Sequence, residues 1–214
     1  MYFLDYGVVL RYRDINENDR VVSIFTKNYG RIEVLFKGVK KSQAKLRGIS
    51  EVFTYSSFRL YMRKYGSMPL CIGGSIIDSY PEVRSDFKKI YFMFMLSMLV
   101  ISSTPLFQKS EEKFNLILSA FNYIKSNYEI SDWFIIVFIA NLLTYCGIGF
   151  KDTNIGYETD FWNILHDNHF FKLNELKRYD TLKYEVLKIF VDKINENFNQ
   201  NYKLDYFLNI MEVV

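Results

Sequence analysis

Reactive side chains are scarce in this sequence. Its 214 residues include two histidines, two cysteines and three prolines. Cys71 and Cys146 stand far apart and neither belongs to a Cys-x-x-Cys pair, so no disulfide framework is written here, and free thiols suit a reducing cytosol. The histidines fall together, His166 and His169, within Leu165–Phe170. A spacing of three on a helix would suit a metal, but no third ligand follows, and a polar loop between helices accounts for both. No GxxxxGK[ST] loop occurs. Gly147-Ile-Gly149 follows a helical run rather than a strand, so it reads as a helix stop, not a phosphate loop. An enzyme needs reactive groups that converge. None are legible, so no enzyme is expected, with no catalytic residue, no metal ligand and no cofactor.

Membrane signals are equally thin. No leader is expected at the start, where Asp5 interrupts an early strand-like alternation. Trp133–Phe150 runs without a charge, between Asp132 and Lys151. It contains Asn141, Thr144 and two glycines, and it reads as a helix buried on all sides rather than a span. Ile90–Ile101 is too short to cross a bilayer. Repeats and low-complexity linkers are also missing.

Aromatic rings and a local excess of positive charge are what the sequence does have. Phe and Tyr bring the aromatic fraction to 18%. Such rings serve as core filler or as stacking surfaces. The net charge of +3 is unevenly spread. Residues 1–80 hold 13 Lys/Arg against 7 Asp/Glu, whereas residues 81–214 hold 14 against 17. Residues 27–47 carry Lys27, Arg31, Lys37, Lys40, Lys41, Lys45 and Arg47 against Glu33 alone. A cluster of this kind is the footprint expected of a surface that meets phosphates, and it also suits a solvated loop.

Along the first 80 residues the texture is that of strands: Tyr6–Arg13, Arg20–Thr26, Arg31–Lys37, Glu51–Met62 and Met68–Ser79. Polar turns intervene at Asp14–Asp19 and Asn28–Gly30, and a basic loop spans Gly38–Gly48. In the fourth strand Val52, Thr54, Ser56, Phe58, Leu60 and Met62 share one side, with Phe53, Tyr55, Arg59 and Tyr61 on the other. Gly73-Gly74 suggests a bulge in the fifth. Five short strands with one long connection suit a small barrel of the OB type. After Pro81 the period becomes helical: Val83–Ser102, Ser110 to about Asn127, and a helix started by Ser131 or Asp132 and ended at Gly147. Residues 151–160 read as irregular. Shorter helices follow at Phe161–Leu165, Leu173–Arg178, Thr181–Phe198 and Leu204–Met211. The expected class is α+β. A five-stranded OB-fold barrel over residues 1–80 packs against a mostly helical domain over residues 81–214.

A family resemblance rests on an ordered series of segments. It includes Gly7–Arg13, Asn18–Arg20 leading to Ser23–Thr26, Tyr29-Gly30 and Phe36–Lys41. It continues with Leu46–Gly48, Phe53, Phe58–Tyr61, Tyr80–Arg84, Leu143–Phe150 and Tyr202–Leu208. The series resembles the bacterial RecO family of DNA repair and recombination mediators, densely over residues 1–84 and patchily beyond. The resemblance implies an OB-fold followed by a helical domain. It also implies binding of single- and double-stranded DNA, annealing of complementary strands and assistance to RecA loading within the RecF pathway. The implied partners are RecR and single-strand-binding protein, with RecA reached indirectly and no membrane. The implied location is cytoplasmic, at the nucleoid. Many members carry four zinc-binding cysteines after the buried helix. This chain has only Cys146 nearby, so no zinc is expected.

The candidate DNA contacts are Arg11, Arg13, Lys27, Tyr29, Arg31, Lys37, Lys40, Lys41, Lys45, Arg47 and Arg59. The cations would neutralise phosphates and release counterions, and Tyr29, in a turn, would stack on bases. Phe36, Tyr55 and Tyr61 are further rings to place, with Phe36 better suited to the core. Two other readings remain at this point. One is a non-enzymatic protein-interaction scaffold whose basic loop meets an acidic tail. The other is an OB-fold that binds RNA, since phosphate contacts and stacking serve both nucleic acids.

Overall fold

A computed structural model describes residues 1–149, 159–166, 170 and 172–212. The stretch expected to be irregular, 151–160, lies outside the described residues except for its last two, as do residues 167–169 of the histidine loop. The chain divides into two compact units. Unit 1 comprises Met1–Ser85 and Thr104–Phe114; unit 2 comprises Asp86–Ser103 and Asn115–Val214.

All five expected strands form in unit 1: β1 (Tyr2–Asp14), β2 (Arg20–Thr26), β3 (Gly30–Phe36), β4 (Tyr55–Tyr61) and β5 (Leu70–Asp78). The sheet closes in the order β1–β2–β3–β5–β4, the five-stranded arrangement of an OB fold. β1 serves two neighbours. Its first half pairs with β4, from Tyr2↔Tyr61 to Val8↔Tyr55, and its second half with β2, from Gly7↔Thr26 to Asp14↔Arg20. The register slips between Val9 and Arg11, so Leu10 is an extra residue. Such a bulge bends a strand from one partner to the next. A second slip, between Arg59 and Leu60 against Gly73 and Cys71, lies beside the expected glycine pair. The seam between β3 and β5 is thin, a single parallel pair, Leu35↔Leu70.

Alternation fills the interior with Val9, Val22, Ile24, Ile32, Val34, Phe36, Phe58 and Leu60, all fully buried. Each such side chain stabilises the unit by about 1.5–3 kcal/mol when wholly removed from water. β2 is buried along its whole length, on both faces. Part of that cover comes from Thr104–Phe114. There Phe107 donates its N–H to the Arg31 carbonyl at 2.8 Å, and the Phe114 ring lies 6.1 Å from that of Phe25.

Two strand starts differ most from the sequence reading. β1 begins at Tyr2 rather than Tyr6, because the alternation of exposed and buried positions already runs through Tyr2, Phe3 and Leu4. β4 begins at Tyr55 rather than Glu51. The chain first makes a short helical turn at Gly48–Ser50, and then Phe53 turns at φ 66°, outside the β region.

Unit 2 is helical: α1 (Phe87–Ser103), α2 (Glu111–Ser126, whose first turn belongs to unit 1), α3 (Trp133–Tyr145), α4 (Thr159–His166), α5 (Lys183–Phe198) and α6 (Leu204–Glu212). A 3-10 stretch spans Leu173–Leu182. α1 starts at Phe87 rather than Val83. Tyr80 (φ 50°) and Pro81 fold the preceding residues into turns, and the Asp86 carboxylate accepts the Lys89 N–H at 3.1 Å as an N-cap. At α3 the Ser131 hydroxyl accepts the Trp133 N–H at 3.3 Å. Gly147, at φ 76°, ends the helix as expected, with the Ile148 N–H reaching back to the Leu143 carbonyl. Every residue from Trp133 to Leu143 is buried, against α1, α4, α5 and the 3-10 stretch. The charge-free run is therefore the centre of this unit. Among the described residues no helix is long and apolar enough to cross a membrane.

Candidate nucleic-acid interface

The basic loop is shaped by its neighbour, the polar turn between β1 and β2. Asn16 Oδ1 accepts the N–H groups of Asn18 at 3.0 Å and Asp19 at 2.7 Å, which closes an Asx-type turn. Asp19 then accepts the Gly38 N–H at 2.7 Å, and Lys40 donates its N–H to the Asn18 carbonyl at 3.1 Å. The hydrogen bond from Gly38, followed by that from the Asn16 amide, holds the Asp19 carboxyl below its usual range. The turn thus fixes where the chain leaves β3 for its run of lysines.

Arg20 ties the same end of the barrel together. Its Nε lies 3.2 Å from Asp14 and its Nη1 3.1 Å from Glu51 and 3.2 Å from the Ser50 hydroxyl. Its guanidinium carbon sits 3.5 Å from the centre of the Tyr12 ring. Burial works against the charge, but the hydrogen bonds to Glu51 and Asp14 outweigh it and leave the pKa raised. Lys40 joins the cluster at 3.1 Å from Asp14. The Asp14 carboxyl is held low by the hydrogen bond to Lys40 and then by that to Arg20.

Around this frame Lys37, Lys40 and Lys41 are exposed beside the Asn16–Asp19 turn, and Lys45 and Arg47 are exposed further along the loop. Arg11 and Arg13 project from the second half of β1, also exposed. Arg11 and Arg13 thus lie on β1, and the other five on the segment that follows β3.

Lys27 and Arg59 lie elsewhere, by the first half of β1. The Lys27 N–H meets the Tyr6 carbonyl at 2.9 Å, and Arg59 pairs across from Leu4. Arg31 is half-buried and engaged. Its Nε donates to the Thr104 carbonyl at 2.7 Å and its Nη1 lies 3.7 Å from Glu33, while burial pulls its pKa down. It anchors the Thr104–Phe114 segment. Tyr29 is also half-buried, with its ring 4.5 Å from Phe3 and packed on the barrel core. Phe36 is fully buried, as its strand position suggested.

The outer face of β2 and β3, where OB folds commonly receive oligonucleotides, is closed in this chain. Val21, Ser23 and Phe25 are buried and Arg31, Glu33 and Leu35 are half-buried. Sequence reasoning did not single out Asp19 and Arg20 as the organisers of the loop. A signal was present, a polar turn whose Asn and Asp can cap neighbouring backbone. Nor did it single out Tyr2, Leu4 and Tyr6, which are exposed on β1.

The cysteines do not suit a four-thiolate zinc site. Cys71 is buried in the barrel, its thiol pushed up to about 11 by burial, whereas Cys146 ends α3 in unit 2. Among the described residues no three His, Cys, Asp or Glu side chains are grouped to hold a metal.

Comparison with known proteins bears on the same region. The family model described as "Recombination protein O N terminal" matches residues 1–80. A DNA repair protein RecO from Clostridium acetobutylicum is 34% identical over 145 residues, covering 68% of this chain and 58% of its own. The protein of that name from Clostridium perfringens is 30% identical over 154 residues, covering 69% and 59%. That of Halalkalibacterium halodurans is 25% identical over 142 residues, covering 66% and 55%. The chain therefore spans a little over half the length of these relatives.

Proposed function

We propose, for a chain whose first 80 residues belong to the RecO N-terminal family and which is related to DNA repair proteins of that name, that it is a DNA-binding mediator of repair and recombination. It binds single- and double-stranded DNA through phosphates, brings complementary strands together, and acts in the RecF pathway with RecR to load RecA onto strands covered by single-strand-binding protein. It works in the cytoplasm at the nucleoid, as a binding protein rather than a catalyst.

The observation that carries this reading is the set of exposed cations on the barrel unit, Arg11 and Arg13 on β1 and Lys37, Lys40, Lys41, Lys45 and Arg47 on the segment after β3, whose start is tied to the Asn16–Asp19 turn. Cations so placed lower the repulsion between two phosphate backbones at once, which favours annealing. Their contacts are to phosphate, so little sequence preference is expected. Arg31 is excluded from the set because it is spent on the Thr104 carbonyl.

Fluorescence anisotropy of a labelled single-stranded oligonucleotide, titrated at several salt concentrations, tests the reading. Affinity should fall linearly in log–log with salt. Lys37→Gln/Lys41→Gln/Lys45→Gln should abolish binding at moderate salt with the melting transition unchanged. Glutamine is used because a glutamate at Lys37 or Lys41 would face Asp19, and Lys40 is spared because it pairs with Asp14. Wild-type affinity in the triple variant would remove the basic loops from the interface.

A further inference from the structure

The first half of β1 and the adjoining strand β4 present an outer face that the basic loops do not use. Tyr2, Leu4 and Tyr6 point outward and are 74%, 54% and 41% exposed. Across from them on β4 lie Tyr61, Arg59 and Ser57. Alternate residues of a strand stand about 6.7 Å apart, so the three β1 side chains form one row. The Tyr2 and Tyr61 rings, with centroids 4.8 Å apart, widen one end of it. At the other end Tyr55, half-buried, lies one outward position beyond Ser57.

Charge on the outward positions of β1 and β4 is of one sign, with Asp78 of β5 standing across from Tyr55 at one edge. The outward positions Tyr2, Leu4, Tyr6, Tyr55, Ser57, Arg59 and Tyr61 include no acid. Arg59 is exposed, and its guanidinium lies over Gly73, where an added Cβ would come within 2.5 Å of it. Lys27 is exposed next to Tyr6, and Arg63 is exposed just past the end of β4. The amino group of Met1 meets the Met62 carbonyl at 2.8 Å.

Exposed rings in a row mark a binding surface rather than a solvated one. Rings with cations beside them, and no acid among the outward positions of the two strands, match a polyanion whose flat groups are free to stack. Duplex bases are already stacked and paired, so the fit is to a single strand. With the β2–β3 face closed, this is an open sheet surface of the barrel that carries rings. We infer that the outer face of β1 and β4 is a stacking platform for single-stranded nucleic acid. Tyr2 and Tyr6 take bases, and Arg59, Lys27 and Arg63 take the phosphates between them. This inference rests on the nucleic-acid-binding reading above and adds to it a second surface with a preference for unpaired strands.

The test compares the unaltered chain with Tyr2→Ala/Tyr6→Ala and Tyr2→Phe/Tyr6→Phe, using a labelled oligothymidine strand and a hairpin duplex of equal length. The alanine variant, which removes two rings, should lose about thirtyfold or more in affinity for the single strand. It should keep wild-type affinity for the duplex. Its salt slope should not change, since no cation has been removed. The phenylalanine variant should bind as wild type, because stacking needs the ring and not the hydroxyl.

Unchanged single-strand affinity in the alanine variant would overturn the platform and leave the face for a protein partner. An equal loss on both nucleic acids would overturn it too. Failure of the wild-type chain to bind either probe would sink the nucleic-acid-binding reading, and the platform with it. Photo-crosslinking of wild-type protein to a bromouracil-substituted strand gives a readout free of folding effects. Adducts on Tyr2 or Tyr6 support the platform, whereas adducts confined to residues 37–47 refute it.

Discussion

Gly30 shows how much one residue carries. It sits at φ 68°, and a Cβ added there would run into the backbone carbonyl of Gln108. Both the left-handed conformation and the contact oppose any side chain. Gly30→Ala should therefore cost more than about 2 kcal/mol, read as a lowered thermal midpoint. Asp19 makes a different kind of claim. Its carboxyl is held low, chiefly by the Gly38 N–H. A depressed acid contributes stability that is fully present above the ordinary carboxylate range and is lost as pH falls through the depressed value. The Gly38 amide resonance, followed by NMR on acidification, should move with a midpoint below that of a free aspartate. A midpoint at the ordinary value would mean that the two loops are not joined in solution. At this scale the sequence was only partly readable. Exposed lysines follow from polarity alone, but Arg31 and Tyr29 look just as available, and only the fold shows that each is taken up by a contact far away in sequence or across the barrel.

Among elements, the strands and helices were legible where one face is buried and the alternation or the helical period is clean. β2, β3 and α5 fall within about a residue or two of the sequence reading. The starts of α1 and β4 were less legible, because caps and a left-handed residue decided them rather than hydrophobic period. α3 was recognised as a buried helix from its missing charges, and its one polar interior residue now has a role. Asn141 donates to the Val137 carbonyl at 2.8 Å and to the Leu165 carbonyl of α4 at 3.2 Å, and it is 4% exposed. Asn141→Ala would remove the buried hydrogen bond to the Leu165 carbonyl at the α3–α4 contact. A loss of about 1–3 kcal/mol is expected, measured by denaturant unfolding. An unchanged midpoint would show that the contact carries no weight.

For the molecule as a whole, the division of charge was plain in the sequence: 13 Lys/Arg against 7 Asp/Glu over residues 1–80, and 14 against 17 beyond. It put the candidate interface on the barrel unit. The return of Thr104–Phe114 to that unit was not legible, since Pro105 and the polar residues before α2 look like an ordinary connection. That return bears on how the protein emerges from the ribosome. All five strands have been made by Asp78, yet the seam beside β3 is bridged only at Leu35↔Leu70 until Leu106 and Phe107 arrive to pair with Arg31. A nascent chain that has exposed only its strands has a ring joined at that seam by one pair alone. The second bridge, from Leu106 to Arg31, is added only after α1 has been synthesised, so the order of translation delays the bracing of the seam.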